Sequence, residues 1–201
     1  ATGVRPTRDH VRQVLFDILG DRVRAGPVLD LYAGSGALGL EAMSRGAPSG
    51  VFVESARRVL TILDENLDAL GARERARVLG LPVRGALARL TEEGSRFALV
   101  LADPPYDDAL AGTLPAWLRE AGALVLAEGG VLVLEVPAGT PQALGGVLPR
   151  TRVRAMGETE LWFHERGVVA PPTEARPPEG TGSSQEARPP QGRLSEAEET
   201  E

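Results

Sequence analysis

A chain of 201 residues can hold one α/β domain with a full core, or at most two small domains. Its 42% hydrophobic content is that of a globular protein, and no apolar run reaches the roughly 18 residues needed to span a membrane. With no cysteine and two histidines it lacks the means for a disulfide or a thiolate metal site, so no metal is expected, and a net charge of −6 argues against a strongly basic nucleic-acid binder.

The charge is uneven. Seven acids and three arginines from Gly167 onward leave 21 acids and 19 arginines in the body, so the body is nearly neutral and a local basic patch could still bind RNA. Every Lys/Arg-class residue is arginine, whose fork matches phosphates, although a GC-rich genome accounts for this equally well. No N-terminal signal segment is visible, so a cytoplasmic location is expected; a monomer is expected as well.

Residues 1–6 are polar and end in Arg5-Pro6. Thr7 can cap a helix over 8–19, with Asp9 in its first turn and Val11, Val14, Leu15, Ile18 and Leu19 at helical spacing. Arg5, Arg8 and Arg12 lie near one another on its outer side, either as a solvated face or as a phosphate contact. Gly26-Pro27 ends the connection, and Val28 to Tyr32 is an apolar run too short for a helix: strand 1. A small-residue turn, Ala33 to Gly36, leads into a helix ending near Arg45.

Val51 to Glu54 reads as strand 2, and Ala56 to Leu70 as a helix with the stripe Val59, Ile62, Leu63, Leu67, Leu70 and a C-terminal Gly71. Strand 3 is expected over Arg77–Leu81, a short helix over Leu87–Glu92, and a buried central strand 4 over Phe97–Ala102. Helices follow over roughly Ala109–Ala121 and Ala123–Ala127. Gly129-Gly130 then turn the chain into strand 5, Val131 to Val136, and Pro137 to Gly146 is loop. Thr151–Ala155 and Glu158–His164 alternate about Gly157 and read as a hairpin. From Gly167 the Pro/Gly/Ser/Glu-rich composition cannot bury enough apolar area to fold, so 1–166 is expected as the domain and 167–201 as a disordered acidic tail. The order predicts one doubly wound, mostly parallel α/β sheet of seven strands, Rossmann-like, with an antiparallel hairpin at its end.

Three features fall at strand carboxyl ends, where such sheets bind ligands. The first is Gly34-x-Gly36-x-x-Gly39, which brings backbone close to a ligand at a helix start. It fits a dinucleotide fold or a nucleoside-binding methyltransferase. Asp30 inside strand 1 tips the reading to the second, because an acid is unwelcome near a pyrophosphate and suits the ammonium and sulfonium of S-adenosylmethionine. The second is Glu54, placed to accept both ribose hydroxyls of a nucleoside without saying which. The third is Asp103-Pro104-Pro105-Tyr106, whose prolines fix two φ angles and remove two N–H donors. The Asp103 carboxylate and the Pro104 carbonyl can accept the N–H bonds of a base amino group and free its lone pair, while Tyr106 stacks on a base taken out of its helix. Asp103, Pro104 and Tyr106 are therefore the candidate catalytic residues.

Asp-Pro-Pro-Tyr downstream of Asp30-x-Tyr32-x-Gly34-Ser-Gly36 is similar to the S-adenosylmethionine-dependent amino-group methyltransferases. The stretch Arg5 to Leu19, together with Leu29 to Ala42, Gly129 to Glu135 and Gly157 to Leu161, resembles the RsmD family, bacterial methyltransferases of guanine N2 in 16S ribosomal RNA. The resemblance covers about Arg5 to Phe163. It implies a class I methyltransferase fold, S-adenosylmethionine as cofactor, and the small ribosomal subunit as partner. It also implies a cofactor site of Asp30, Tyr32, Gly34, Gly36, Glu54 and Asp103, with Arg5, Arg8, Arg12 and Tyr106 toward RNA. Related enzymes often meet the adenine amino group with Asp or Asn near Gly85-Ala86, so here the backbone at Ala86 is expected to do so. The family's Gly/Arg-rich N-terminal hairpin is expected to be missing, since four residues precede Arg5. The rivals are adenine-N6 methylation of DNA, which usually needs an added recognition region, and a non-catalytic RNA-binding assembly factor.

Overall fold

Short apolar runs bounded by glycine and proline become the middle of a sheet. In the computed structural model, which describes residues 8–105, 121–140 and 148–167, Val28–Leu31 (β1) and Phe97–Ala102 (β4) pair in parallel with Val28 opposite Leu99 and Leu31 opposite Ala102. Gly50–Val53 (β2) and Ala76–Leu79 (β3) extend the sheet on one side, and Leu126–Pro137 (β5) follows β4 on the other. Arg150–Met156 (β6) and Thr159–Glu165 (β7) form the hairpin, turning at Gly157 (φ 65°). The order is β3-β2-β1-β4-β5-β7-β6, parallel through β5, with β7 antiparallel to β5 and β6 at the edge. The expected α/β architecture, including its antiparallel end, is the one observed.

Both faces are covered. Helices Arg8–Leu19 (α1), Ala37–Ser44 (α2) and Arg57–Ala69 (α3) bury Leu15, Phe16, Ala42, Leu63 and Leu67 against one face. Helix Val83–Glu92 (α4) buries Val83, Leu87 and Leu90 against the other. Residues 121–125 are also helical and add Ala123 and Val125 to that second face. Val28 joins the first core while Leu29 and Leu31 join the second, the alternation of a strand buried on both sides. Asp30 is then committed to the face under α2.

Several expectations shift. The α3 stripe is narrower than predicted: Leu60, Leu63 and Leu67 pack inward, while Ile62 and Leu70 are 48% and 67% exposed. Ile62 lies about 100° around the helix from Leu63, which takes it off the buried side. Helix α4 begins at Val83, directly after Pro82, rather than at Leu87, and includes Gly85. Strand β5 begins at Leu126, not Val131. Leu126 pairs with Phe97 and Val131 with Leu99, so the intervening residues bulge from the ladder. Gly129 (φ 72°) allows that bulge, and a side chain at Gly130 would meet the Ala127 carbonyl at 2.9 Å. The glycine pair is a bulge inside a strand rather than the turn before one. The segment 167–201, the expected helix at Ala109–Ala121 except its last residue, and the loop 141–147 lie outside the described residues, apart from Gly167 itself.

Candidate active site

The carboxyl ends of β1, β2, β4 and β5 and the flank of α1 enclose a cleft of about 560 Å³, a size typical of sites for small organic ligands. Asp30, Tyr32, Gly34, Glu54, Asp103, Pro104 and Arg12 all line it. The chain turns sharply between β1 and α2. Tyr32 takes φ 62°, the left-handed region, at a non-glycine residue where it is strained, and nothing local in the sequence announces it. Gly36 (φ 86°) forms the last residue before α2, and a Cβ there would come within 2.6 Å of Leu63 Cδ1. It shapes the loop without being one of the cleft-lining residues.

Gly39 serves a different purpose. A Cβ on it would strike the Phe52 ring and approach Asp30 Oδ2 at 3.0 Å. Its absence lets α2 sit close enough for the Gly39 N–H to donate to Asp30 Oδ2 at 2.7 Å. Gly39→Ala is expected to destabilise by roughly 1–3 kcal/mol through overpacking, with loss of that hydrogen bond, read as a lower urea midpoint. An unchanged midpoint would show that α2 moves away freely.

The loop is tied from two sides. Glu54, just past β2, accepts from Gly34 N at 3.1 Å with one oxygen and from Ala56 N at 2.7 Å with the other. Each oxygen keeps a lone-pair site for a hydroxyl donor. From α3, Asn66 Nδ2 donates to the Ser35 carbonyl at 2.8 Å. Sequence reasoning missed Asn66, since only the fold brings it beside a loop 31 positions away.

The cleft is acidic. Glu135, on β5, lines it with Asp30, Glu54 and Asp103, and Arg12 is the one cation among the described lining residues. Arg12 itself pairs with Asp9 at 3.1 Å. The register sets Ala102 opposite Leu134, so Asp103, just past β4, comes beside Glu135, still within β5. Glu135 ends the Gly129-to-Glu135 stretch, and the register of two strands distant in sequence brings it to the cleft. Asp30 is buried, and burial pushes its carboxyl up to about 7; the Gly39 N–H opposes this, and the charges of Asp103 and Glu54 add to it.

Ala86 is not at this cleft. It lies inside α4, fully buried, and its N–H is taken by the Pro82 carbonyl at 3.0 Å. Because α4 starts early, the backbone expected to meet an adenine is consumed by the helix. Tyr106 and Arg5 lie outside the described residues, as does the side chain of Arg8.

A sheet ordered β3-β2-β1-β4-β5-β7-β6, a glycine loop after β1 and a carboxylate ending β2 define the class I methyltransferase fold. An RNA methyltransferase from Salinibacter ruber in complex with S-adenosyl-L-homocysteine shares it, with a TM-score of 0.59 at 14% identity over 82% of this chain and 95% of that one. Residues 1–165 match the family described as conserved hypothetical protein 95, and the chain belongs to that family, the RsmD family. The ribosomal RNA small subunit methyltransferase D of Escherichia coli K12 is 41% identical over 104 residues, 52% of this chain and 50% of that protein. A hypothetical protein of Thermus thermophilus has a structure with a TM-score of 0.66, 34% identity, and coverage of 81% of this chain and 89% of its own. The chain spans about half the length of the curated relatives it matches.

Proposed function

We propose that the protein is an S-adenosylmethionine-dependent methyltransferase acting on the exocyclic N2 amino group of a guanine in 16S ribosomal RNA of the small subunit. The observation that carries this reading is the gathering of Asp30, Glu54, Asp103 and Glu135 around one cleft beside a glycine loop, in a chain of the RsmD family. A cleft of that charge favours a ligand carrying an ammonium and a sulfonium and repels a pyrophosphate. When bound, that cofactor supplies an electrophilic methyl group; the protein's part is position and exclusion of water. Asp30 and Glu54, which both line the cleft, would hold the cofactor's cationic and ribose groups. The Asp103 carboxylate and Pro104 carbonyl would accept the N–H bonds of the target amine, with Tyr106 stacking on its base. Arg5, Arg8 and Arg12 would meet the RNA backbone. The family match ends at residue 165, which supports a domain boundary at 166. Among the described residues there is no cluster fit to hold a metal and no helix long and apolar enough to cross a membrane, and the proposed substrate assigns the protein to the cytoplasm.

The deciding experiment is methyl transfer from labelled cofactor to naked 16S RNA, 30S particles and DNA, followed by nucleoside analysis. N2-methylguanosine is the expected product. N6-methyladenine in DNA would replace this reading with the DNA enzyme, and RNA binding with no transfer to any acceptor would favour an assembly factor.

Glu54→Ala is expected to weaken S-adenosylmethionine binding by ~1–3 kcal/mol, because ribose hydroxyls lose their acceptor and the Gly34 and Ala56 amides lose theirs. Titration calorimetry with S-adenosylmethionine and with NAD tests this. Tight NAD binding without adenosylmethionine binding would overturn the assignment.

A further inference from the structure

From the edge strand β6 and the outer flank of α1, we infer a track for RNA phosphates leading to the cleft, with Arg152 and Arg154 as its anchors. The inference rests on the proposed RNA substrate and extends it to a surface outside the cleft.

Many of the described arginines of this acidic chain are occupied. Arg22 is taken by Glu165, Arg45 by Glu41, Arg73 by Asp64, and Arg77 and Arg89 by Glu93. Arg152 and Arg154 are exposed and have no acid within ion-pair distance among the described residues. They stand two positions apart on one strand, opposite Phe163 and Leu161, whose side chains belong to the core under α1. Both guanidiniums therefore rise on the α1 side of the sheet, with their backbone anchors roughly 6.5–7 Å apart. With Val14, Asp17 and Ile18 they border an open groove of about 420 Å³. Its one acid, Asp17, faces the Arg45 guanidinium at 3.8 Å.

Helix α1 is the shared wall. Val11, Arg12 and Leu15 line the cleft on one flank, and Val14 and Ile18 line the groove on the next. The strand register fixes the distance between them. Arg154 lies opposite Leu161, which lies opposite the cleft-lining Glu135, so Arg154 is two strands, roughly 10 Å, from the rim. A strand of RNA with one base in the cleft can carry its backbone over α1 to these two forks. Guanidinium forks bind phosphates bidentately, and positioning contacts of this kind lie outside the site that reads the base. Charges on an exposed edge strand can instead serve only to prevent strand-to-strand association. The two roles separate experimentally.

The test is filter binding of a 16S RNA transcript to the full chain with S-adenosylhomocysteine present, over about 50–200 mM KCl. Arg152→Ala/Arg154→Ala is expected to weaken RNA binding roughly tenfold or more and to lower the salt slope by about 1.4, the loss of two single-strand phosphate contacts. Calorimetric affinity for S-adenosylhomocysteine should stay at the parent value, which also shows that the variant folds. Arg152→Lys/Arg154→Lys should restore most of the slope. Parent-like RNA affinity and slope in the Ala variant would overturn the track, all the more if that variant self-associates in sedimentation, and would leave the proposed methylation standing. A parent that binds no RNA at all would overturn the substrate assignment itself, and the track with it.

Discussion

Asp103→Ala is expected to slow methyl transfer by roughly 10²-fold or more while leaving RNA affinity nearly unchanged. Asp103 sits at the end of β4, whose six residues are all apolar and fix where the strand stops. A base amine is a poor nucleophile because its lone pair is delocalised into the ring. A carboxylate that accepts one of its N–H bonds gains most as the nitrogen becomes pyramidal, so the contact strengthens in the transition state and appears in turnover rather than binding. Pro104 follows without an N–H, so the carboxylate meets no donor from that backbone position. Asp103→Asn should be milder, since an amide oxygen still accepts. Single-turnover methylation of 30S particles beside filter binding of the same particles checks the split. Transfer at the parent rate by the Ala variant would reduce Asp103 to the end of a strand.

Asp103 also shows what could be read without the fold. Phe97–Ala102 was legible to the residue because an unbroken apolar run between polar neighbours, too short for a helix, fits a strand buried on both faces. Arg8–Leu19 was legible for the matching reason, apolar residues recurring at a clear helical period. The sheet ends, the glycine loop and the acids at the strand tips followed from local chemistry and were found around one cleft. What could not be read depends on distant partners. Gly129-Gly130 looks like a turn until β4 shows that Leu126 is already paired. Ala86 looks like loop until Pro82 starts a helix beneath it. Glu135 gains its place beside Asp103 from the β4–β5 register, and Asn66 gains its own from the packing of α3 on the loop. The left-handed Tyr32 is the same kind of case: its residue type disfavours the conformation, so the local sequence does not point to it.

Raising the pH from about 4 to about 7 is expected to destabilise the unliganded protein through Asp30, by up to roughly 4 kcal/mol. The ordinary value of this carboxyl, 3.8, is raised in the fold to about 7, first by burial and then by the Asp103 and Glu54 charges, against the Gly39 N–H. Below pH 4 the group is protonated in both states and folding meets no penalty. Between the two values the unfolded chain has released the proton and the native state still holds it, so stability falls with each rise in pH, and above 7 the loss is complete. Glu93 acts in another window: bonds to Arg77 and Arg89 hold it at about 2, so its contribution is lost only as the pH drops from about 4.5. Urea unfolding of the parent and of Asp30→Asn across the range isolates the effect. The difference should grow in favour of the variant up to pH 7 and then level off; parallel curves would show that Asp30 ionises freely. The same carboxylate that weakens the unliganded fold lines the cleft, where the proposed function gives it a cationic ligand. Adenosylmethionine affinity in the parent should therefore rise with pH up to about 7, as the ligand pulls the proton from Asp30, while Asp30→Asn should bind more weakly and without that dependence. A variant that is more stable at pH 8 and yet binds the cofactor as tightly as the parent would separate Asp30 from the site.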